Sequence, residues 1–271
     1  MEDGELWQLS VIPSIFSVPE QFSGSIMYQI FPDRFCKKGK TDLSDKIKPY
    51  YIHENTNDLP IFMPDEKGIV QNNDFFGGNF KGIESKLPYL RSLGVTVIYL
   101  NPIFEAHSNH RYNTADYSKI DTLLGNEQDF KNLCRAAKKQ GISIILDGVF
   151  SHTGDDSIYF NRNGRYGSSG AYNDPSSPYL KWFNFKHYPN DYDAWWGIKT
   201  LPETNENNPD FTEFITGENG ILRRWLRLGA KGWRLDVADE LPDLFLDNIR
   251  NAIKAENPEA FLLGEVWEDA T

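Results

Sequence analysis

GWRLDVADEL (232–241) and FLLGEVW (261–267) each join a short β-prone apolar run to a carboxylate at its C-terminal end, Asp236 in the first and Glu265 in the second. Between them, 242–256 reads as a helix with Pro242 in its first turn. Two strands joined by a helical crossover imply parallel pairing. On a β/α chain, strand-end carboxylates converge on one rim of a barrel, where such folds do their chemistry. Taken singly, either acid could be a loop residue or a helix cap. Two at successive strand ends are the equipment for cutting a glycosidic bond.

The same rhythm runs upstream. MYQIF (27–31) is apolar and β-prone; Ile83, Leu87, Leu90 and Leu93 mark a helix over 83–93 that Gly94 ends; GVTVIYLNPIF (94–104) reads as a strand. Phe130, Leu133, Cys134 and Ala137 form the apolar stripe of a helix over 127–140, stopped by Gly141. ISIILDGVF (142–150) is a near-continuous apolar run, as a parallel strand buried on both faces requires. After His152 the pattern breaks. Residues 153–215 are rich in Gly, Asn, Asp, Pro, Tyr and Trp without a long period, too long for a structureless loop, and are expected to form an inserted subdomain beside a substrate cleft. A helix at 218–228 then restores the alternation.

The expected fold is therefore α/β, a (β/α)8-type barrel of which about the first five units are present. The expected divisions are 1–24, a linker or tail of a preceding β-domain suggested by alternating Trp7, Leu9 and Val11; 25–152, the first part of the barrel; 153–215, the insert; and 216–271, the barrel continued. The chain stops at Thr271, directly after the fifth strand, so it reads as a fragment of a longer enzyme. With open sheet edges it is expected to be inactive and poorly soluble alone.

At 271 residues with 39% hydrophobic and 14% aromatic content, the composition is that of a globular protein. Aromatics beyond the needs of a core suit sugar rings. The net charge of −11 argues against nucleic acid or an anionic membrane as partner and fits a neutral ligand. Cys36 and Cys134 show no zinc-binding spacing, and Cys134 is expected to be a buried small hydrophobe. MEDGELWQLS lacks a charged-then-apolar leader, and no run approaches the ~18 apolar residues of a membrane span. A cytoplasmic location is the expectation.

DGVFSH (147–152), GWRLDVADE (232–240) and GEVW (264–267), in that order, resemble signature regions of the alpha-amylase family, glycoside hydrolase family 13. YQIFPDRF (28–35), FFGGNFKGI (75–83), GVTVIYLNPIF (94–104) and HRYNTADYSKID (110–121) resemble its branch of neopullulanases, cyclomaltodextrinases and maltogenic amylases, and LPETN (201–205) resembles that branch's marker. The resemblance covers nearly the whole chain. It implies a retaining hydrolase of α-1,4 and, in some members, α-1,6 links in maltooligosaccharides, cyclomaltodextrins, pullulan or starch.

The resemblance also implies roles. Asp236 would be the nucleophile, and Arg234, on the same side of its strand, would hold it ionised. Glu265 would be the general acid, its pKa raised by burial between aromatic walls that include Trp267. Asp147 and His152 would grip sugar hydroxyls, Tyr112 would stack on the sugar, and Asn101 would order a neighbouring loop. Asp239 and Glu240 read instead as an acidic first turn of the next helix.

Three departures stand out. The family's third carboxylate has no counterpart before Thr271, and Asn79 and Asn113 stand where Asp is commoner. In CKKGKTDLSDK (36–46), lysines replace a calcium loop of several relatives and would repel a divalent ion, so no cofactor is expected and calcium is disfavoured. The expected partner is an α-glucan; relatives that dimerise through an N-terminal domain make a homodimer an expectation for the parent. The alternatives are an α-glucosidase or oligo-1,6-glucosidase, against which LPETN argues, and a non-catalytic sugar-binding barrel.

Overall fold

A computed structural model describes residues 18–267. The alternation at Trp7, Leu9 and Val11 lies outside the described residues. In chain order the first elements are β1 (Met27–Ile30), α1 (Pro32–Phe35), β2 (Tyr51–Ile52), β3 (Asp74–Phe75), α2 (Phe80–Ser92), β4 (Val97–Leu100), β5 (Phe104–Ala106) and β6 (Thr114–Ile120). There follow α3 (Glu127–Lys139), β7 (Ser143–Gly148), β8 (Phe185–His187), β9 (Asp191–Tyr192), α4 (Pro209–Thr216), α5 (Ile221–Leu228), β10 (Gly232–Leu235), α6 (Asp243–Glu256) and β11 (Phe261–Gly264).

Strands β1, β4, β7, β10 and β11 form one sheet in that order, and every pair is parallel. These are the five runs expected from the sequence, side by side in chain order. The register sets Arg234 opposite Asp147 and Leu235 opposite both Gly148 and Gly264. Asp236 and Glu265 consequently emerge together, one residue beyond the ends of β10 and β11.

Alternation sorts the strand side chains between two faces. Ile98, Leu100, Ile144, Leu146, Trp233 and Leu235 pack in the large core shared with the helices. Val97, Tyr99 and Ile145 turn the other way, against Phe22 and Phe261, whose rings stack 4.5 Å apart. Extending the same parity, Asp147 and Arg234 belong to the second, inner face.

Helix α3 shows how local sequence and packing agree. The Asn126 side chain accepts from Gln128 N and Asp129 N, Glu127 and Asp129 stand in the first turn, and Lys138 and Lys139 in the last. Its stripe of Phe130, Leu133, Cys134 and Ala137 is buried. Each large member of that stripe contributes on the order of 1.5–3 kcal/mol. Gly141, at φ 68°, turns the chain into β7. Cys134 is a free, buried thiol, as expected.

One strand expectation needs correction. The run 94–104 is not one strand: β4 ends at Leu100, and Phe104 begins a hairpin with β6. The segment 153–215 does contain a helix, α4, because Asn208 caps it through Asp210 N and Phe211 N and Pro209 fills its first turn. Phe211 and Ile215 are its buried face, and Phe211 stacks on Phe245 of α6. Among the described residues, no helix is long and apolar enough to cross a membrane.

Candidate active site

One guanidinium organises the C-terminal rim of the sheet. Arg234 Nη1 donates to Asp147 Oδ1 and to Asp236 Oδ1, both at 2.7 Å, and Nη2 pairs with Glu265 Oε2 at 2.5 Å. Three carboxyls thus share one cation. Burial opposes the charge of Arg234, but Asp147 and Asp236 outweigh it and raise its pKa. The carboxyls feel the shortage of positive charge. Burial, then the neighbouring Asp147, pushes Asp236 up to about 7 against the pull of Arg234. Burial likewise lifts Asp147 to about 6, with Arg234 and Tyr99 pulling it down. Asp236 Oδ2 has no protein partner among the described residues.

Asp147 is cupped on its other oxygen. The hydroxyls of Tyr99 and Tyr112 both donate to Oδ2, Tyr112 at 3.0 Å. Asn101 Nδ2 donates to Tyr112 Oη at 2.9 Å, and Gln29 Nε2 donates to Asn101 Oδ1 at 3.0 Å. Asn101 therefore fixes a site tyrosine directly, beyond ordering a loop. Tyr99 escaped sequence reading because a tyrosine in VIYL looks like core. Its spacing of two from Asn101 was the available signal.

Glu265 is not walled in by aromatics. Its side chain is 29% exposed and Trp267 is 77% exposed; an ion pair to Arg234 stands in place of the expected burial. A second anchor is the backbone N–H of Val237, which donates to Glu265 Oε2 at 3.1 Å. Val237 holds φ 41°, a left-handed conformation uncommon for a β-branched residue. Such strain concentrates where geometry is functional.

A cavity of ≈ 310 Å³ opens over this cluster, lined among others by Tyr112, His152, Trp195, Trp196, Arg234, Asp236, Glu265 and Trp267. The structure thus brings Asp236, Glu265, Arg234, His152, Tyr112 and Trp267 to one cavity, with Asp147 and Asn101 immediately behind. His152 is buried; Ser151 Oγ bonds its Nδ1 at 2.9 Å, while Nε2 is buried without a protein partner among the described residues. Burial lowers its pKa to about 4, so the imidazole is neutral. His110 lines the same cavity, and burial, then Arg111, lowers it to about 4 as well.

Trp195 and Trp196, which sequence reading missed inside the aperiodic insert, stack 4.8 Å apart. Their indole N–H groups donate to Glu240 Oε2 and Oε1 at 2.8 and 3.0 Å. Asp239 Oδ2 accepts from Trp267 N at 3.0 Å. These two acids are therefore not the first turn of α6, which starts only at Asp243; they lie in a separate 3-10 turn, Ala238–Glu240. They tie the insert and the segment after β11 to the loop after β10.

One wall is anchored from below. Lys46 Nζ reaches Asp121 Oδ2 at 2.5 Å and Ala106 O at 2.7 Å, and Arg111 Nε reaches the same Asp121 oxygen at 2.7 Å. Burial opposes the charge of Asp121, but Arg111 and Lys46 prevail and lower its pKa. Lys46 closes the lysine-bearing 36–46 segment, so one of its ammonium groups is interior. Asn79 caps α2 through Gly82 N while its Nδ2 donates to Lys38 O, a bond an Asp could not make. Asn113 Oδ1 accepts from Ser108 Oγ. Among the described residues, no group of three or more His, Cys, Asp or Glu side chains is arranged to hold a metal ion.

Comparison with known proteins agrees with this geometry. The family model for the alpha amylase catalytic domain matches residues 29–271. The chain is 43% identical over 296 aligned positions to an amylopullulanase of Thermoanaerobacterium saccharolyticum, covering 98% of this chain and 23% of that one. It is 37% identical to the intracellular maltogenic amylase of Bacillus subtilis, covering 94% and 40% respectively. The solved type III pullulan hydrolase from Thermococcus kodakarensis superposes with a TM-score of 0.76 at 34% identity, covering 93% of this chain and 45% of that one. The chain thus spans well under half the length of these two curated relatives.

Proposed function

The chain belongs to the alpha-amylase family, glycoside hydrolase family 13, and on that premise we propose that it carries the nucleophile and acid of a retaining α-glucan hydrolase. Its five parallel strands are then the first five β/α units of the family's barrel. Asp236 attacks the anomeric carbon through its free Oδ2 while Glu265 gives a proton to the departing glycosidic oxygen. The C–O bond breaks as the ester to Asp236 forms. Glu265 then takes a proton from water, which displaces the sugar from Asp236. Arg234 stabilises the carboxylates, and Asp147 and neutral His152 bind hydroxyls of the reacting sugar. Tyr112, Trp195, Trp196 and Trp267 offer faces for sugar rings. In this scheme the side chains and one water supply every reacting group.

The observation that carries the reading is the shared contact of Asp236 and Glu265 with adjacent nitrogens of Arg234. A retaining mechanism needs its two carboxyls about 5–5.5 Å apart, and a shared guanidinium favours such closeness. We take the links cleaved to be α-1,4, in some substrates α-1,6, from the resemblance of the chain's motifs, and Leu201 of the LPETN segment lines the cavity. A sugar-binding barrel without activity is disfavoured, since such a protein has no use for this triad.

The test is incubation of the protein encoded by the complete reading frame with cyclomaltodextrin, pullulan and starch, following products by chromatography and anomer by NMR, beside Asp236→Asn. An α-anomeric product that the variant fails to make supports the reading. A β-anomeric product, or no turnover of any α-glucan, overturns it.

A further inference from the structure

A second cavity, of ≈ 610 Å³, lies at the opposite end of the sheet, where β4, β7 and β10 begin. Its lining includes Lys131, Arg135, Lys138, Arg227 and Lys231, and no Asp or Glu. In a chain with 39 acidic and 28 basic residues, an all-basic lining calls for an explanation. Helix dipoles account for part of it: Lys138 stands in the last turn of α3 and Arg227 in that of α5. Arg227 is, besides, neutralised by Glu218 and Glu256. The dipole does not account for Lys131 and Arg135, which share a face with Lys138 at helical spacing but lie earlier in α3, nor for Lys231, which precedes β10.

The charge is also uncompensated. Among the described residues, Lys131, Lys138 and Lys231 form no ion pair, and Arg135 donates only to the neutral Asn132 side chain, at 3.3 Å. The hydroxyls of Thr96 and Ser143 line the same space as neutral donors. Holding several ammonium groups around one concavity without a counter-charge is unfavourable, and an anion there would relieve it. Shape and field together choose the kind of anion. The volume is that of a small-molecule site. The overall charge of −11 repels extended polyanions such as nucleic acid or an anionic membrane, whereas a compact anion feels mainly the local lysines.

We propose that this cavity is a binding site for a small phosphorylated molecule, with Lys131, Lys138 and Lys231 as its principal cations. Binding does not depend on the hydrolytic reading. The cavity is separated from Asp236 by the length of β10, about 16 Å at ~3.3 Å per residue. A neutral α-glucan would engage one end of the sheet and the phosphate ester the other.

Isothermal titration of the protein with glucose 6-phosphate, inorganic phosphate and maltose is the test, repeated with Lys138→Gln/Lys231→Gln and, separately, with Lys131→Gln. The side chains replaced are at least partly exposed, and thermal unfolding of each variant checks that the fold survives. Saturable 1:1 binding of glucose 6-phosphate that weakens tenfold or more in the double variant, and also with added salt, supports the site. Equal affinity for inorganic phosphate would mean that the phosphoryl group alone is recognised, and still supports it. No binding of either phosphate, or binding that the lysine variants and salt leave unchanged, overturns it. If the double variant fails to fold, Lys131→Gln and the salt dependence of the unaltered protein decide between these outcomes.

Discussion

The backbone N–H of Val237 donates to Glu265 Oε2 at 3.1 Å, and Val237 makes that bond from a left-handed conformation at φ 41°. The residue after the proposed nucleophile thereby orients the proposed acid. Backbone strain of this kind costs on the order of 1–3 kcal/mol and persists where the surroundings hold it in place.

Val237→Gly should separate strain from packing. Truncating a buried valine ordinarily costs a few kcal/mol, but glycine tolerates φ > 0 and releases the strain. The two effects offset, so the expected net loss by urea denaturation is about 1 kcal/mol or less. A loss above about 3 kcal/mol would show that the left-handed turn carries little strain.

Arg234→Lys should fold and fail. The lysine keeps the charge but cannot reach three carboxyls with a planar fork. A drop of 100-fold or more in kcat, with Tm lowered by only a few degrees, is the expected result. Arg234→Met should be far worse for stability, by about 3–5 kcal/mol, because it leaves buried carboxyls without a cation. Near-normal turnover by either variant would remove Arg234 from the reaction.

The pH dependence has a definite sign. Asp147 and Asp236 are lifted to about 6 and about 7, above their ordinary carboxylate range. Between those limits the folded chain binds more protons than the unfolded one, so their contribution to stability is full at low pH and is lost as pH rises through the folded values. Asp236→Asn should flatten that decline in urea titrations from pH 4 to 8. In turnover, the ionised nucleophile is needed, so kcat/KM of the free enzyme should rise with pH toward about 7. An acid limb centred near 4 would contradict the arrangement.

Glu240→Ala should free two indoles at once. With the carboxylate gone, Trp195 and Trp196 lose both hydrogen bonds that fix them over the cavity. The expected readouts are a changed tryptophan emission spectrum and a several-fold rise in KM for oligosaccharides, with kcat little altered. Stability should move by about 1 kcal/mol, as for a partly exposed pair of hydrogen bonds. An unchanged KM would confine the Trp pair to a structural role.

Much of this was readable from the chain because strands broadcast their periodicity. Asp236, Arg234 and Glu265 stand at fixed steps from runs whose register a parallel sheet enforces, so their convergence follows from the pattern. What escaped reading lacked a period or had an innocuous alternative. Trp195 and Trp196 sit in an insert where no repeat places them. Glu240 precedes a helix closely enough to pass for its first turn, and only the tertiary fold shows the carboxylate turned back toward two indoles. Helix α4 did announce itself, through Asn208-Pro209 and the Phe211/Ile215 spacing, but eight residues are easily lost in a polar stretch.

The pairing of Arg234 with Asp147 across β10 and β7 has a consequence for how such a chain can vary. Loop segments away from Val237 and Tyr112 can lengthen or shrink with little effect on the cluster, because the strands set the Arg234 contacts while those two residues reach it from loops. A single residue added inside β10 would be different. It would turn Asp236 toward the helices and bring an apolar neighbour to the rim, while the sheet itself could still form. The alignment of Arg234 with Asp236 is thus stored as a count along a strand, and an insertion within those few residues should be far more damaging than one in a loop that carries no site contact.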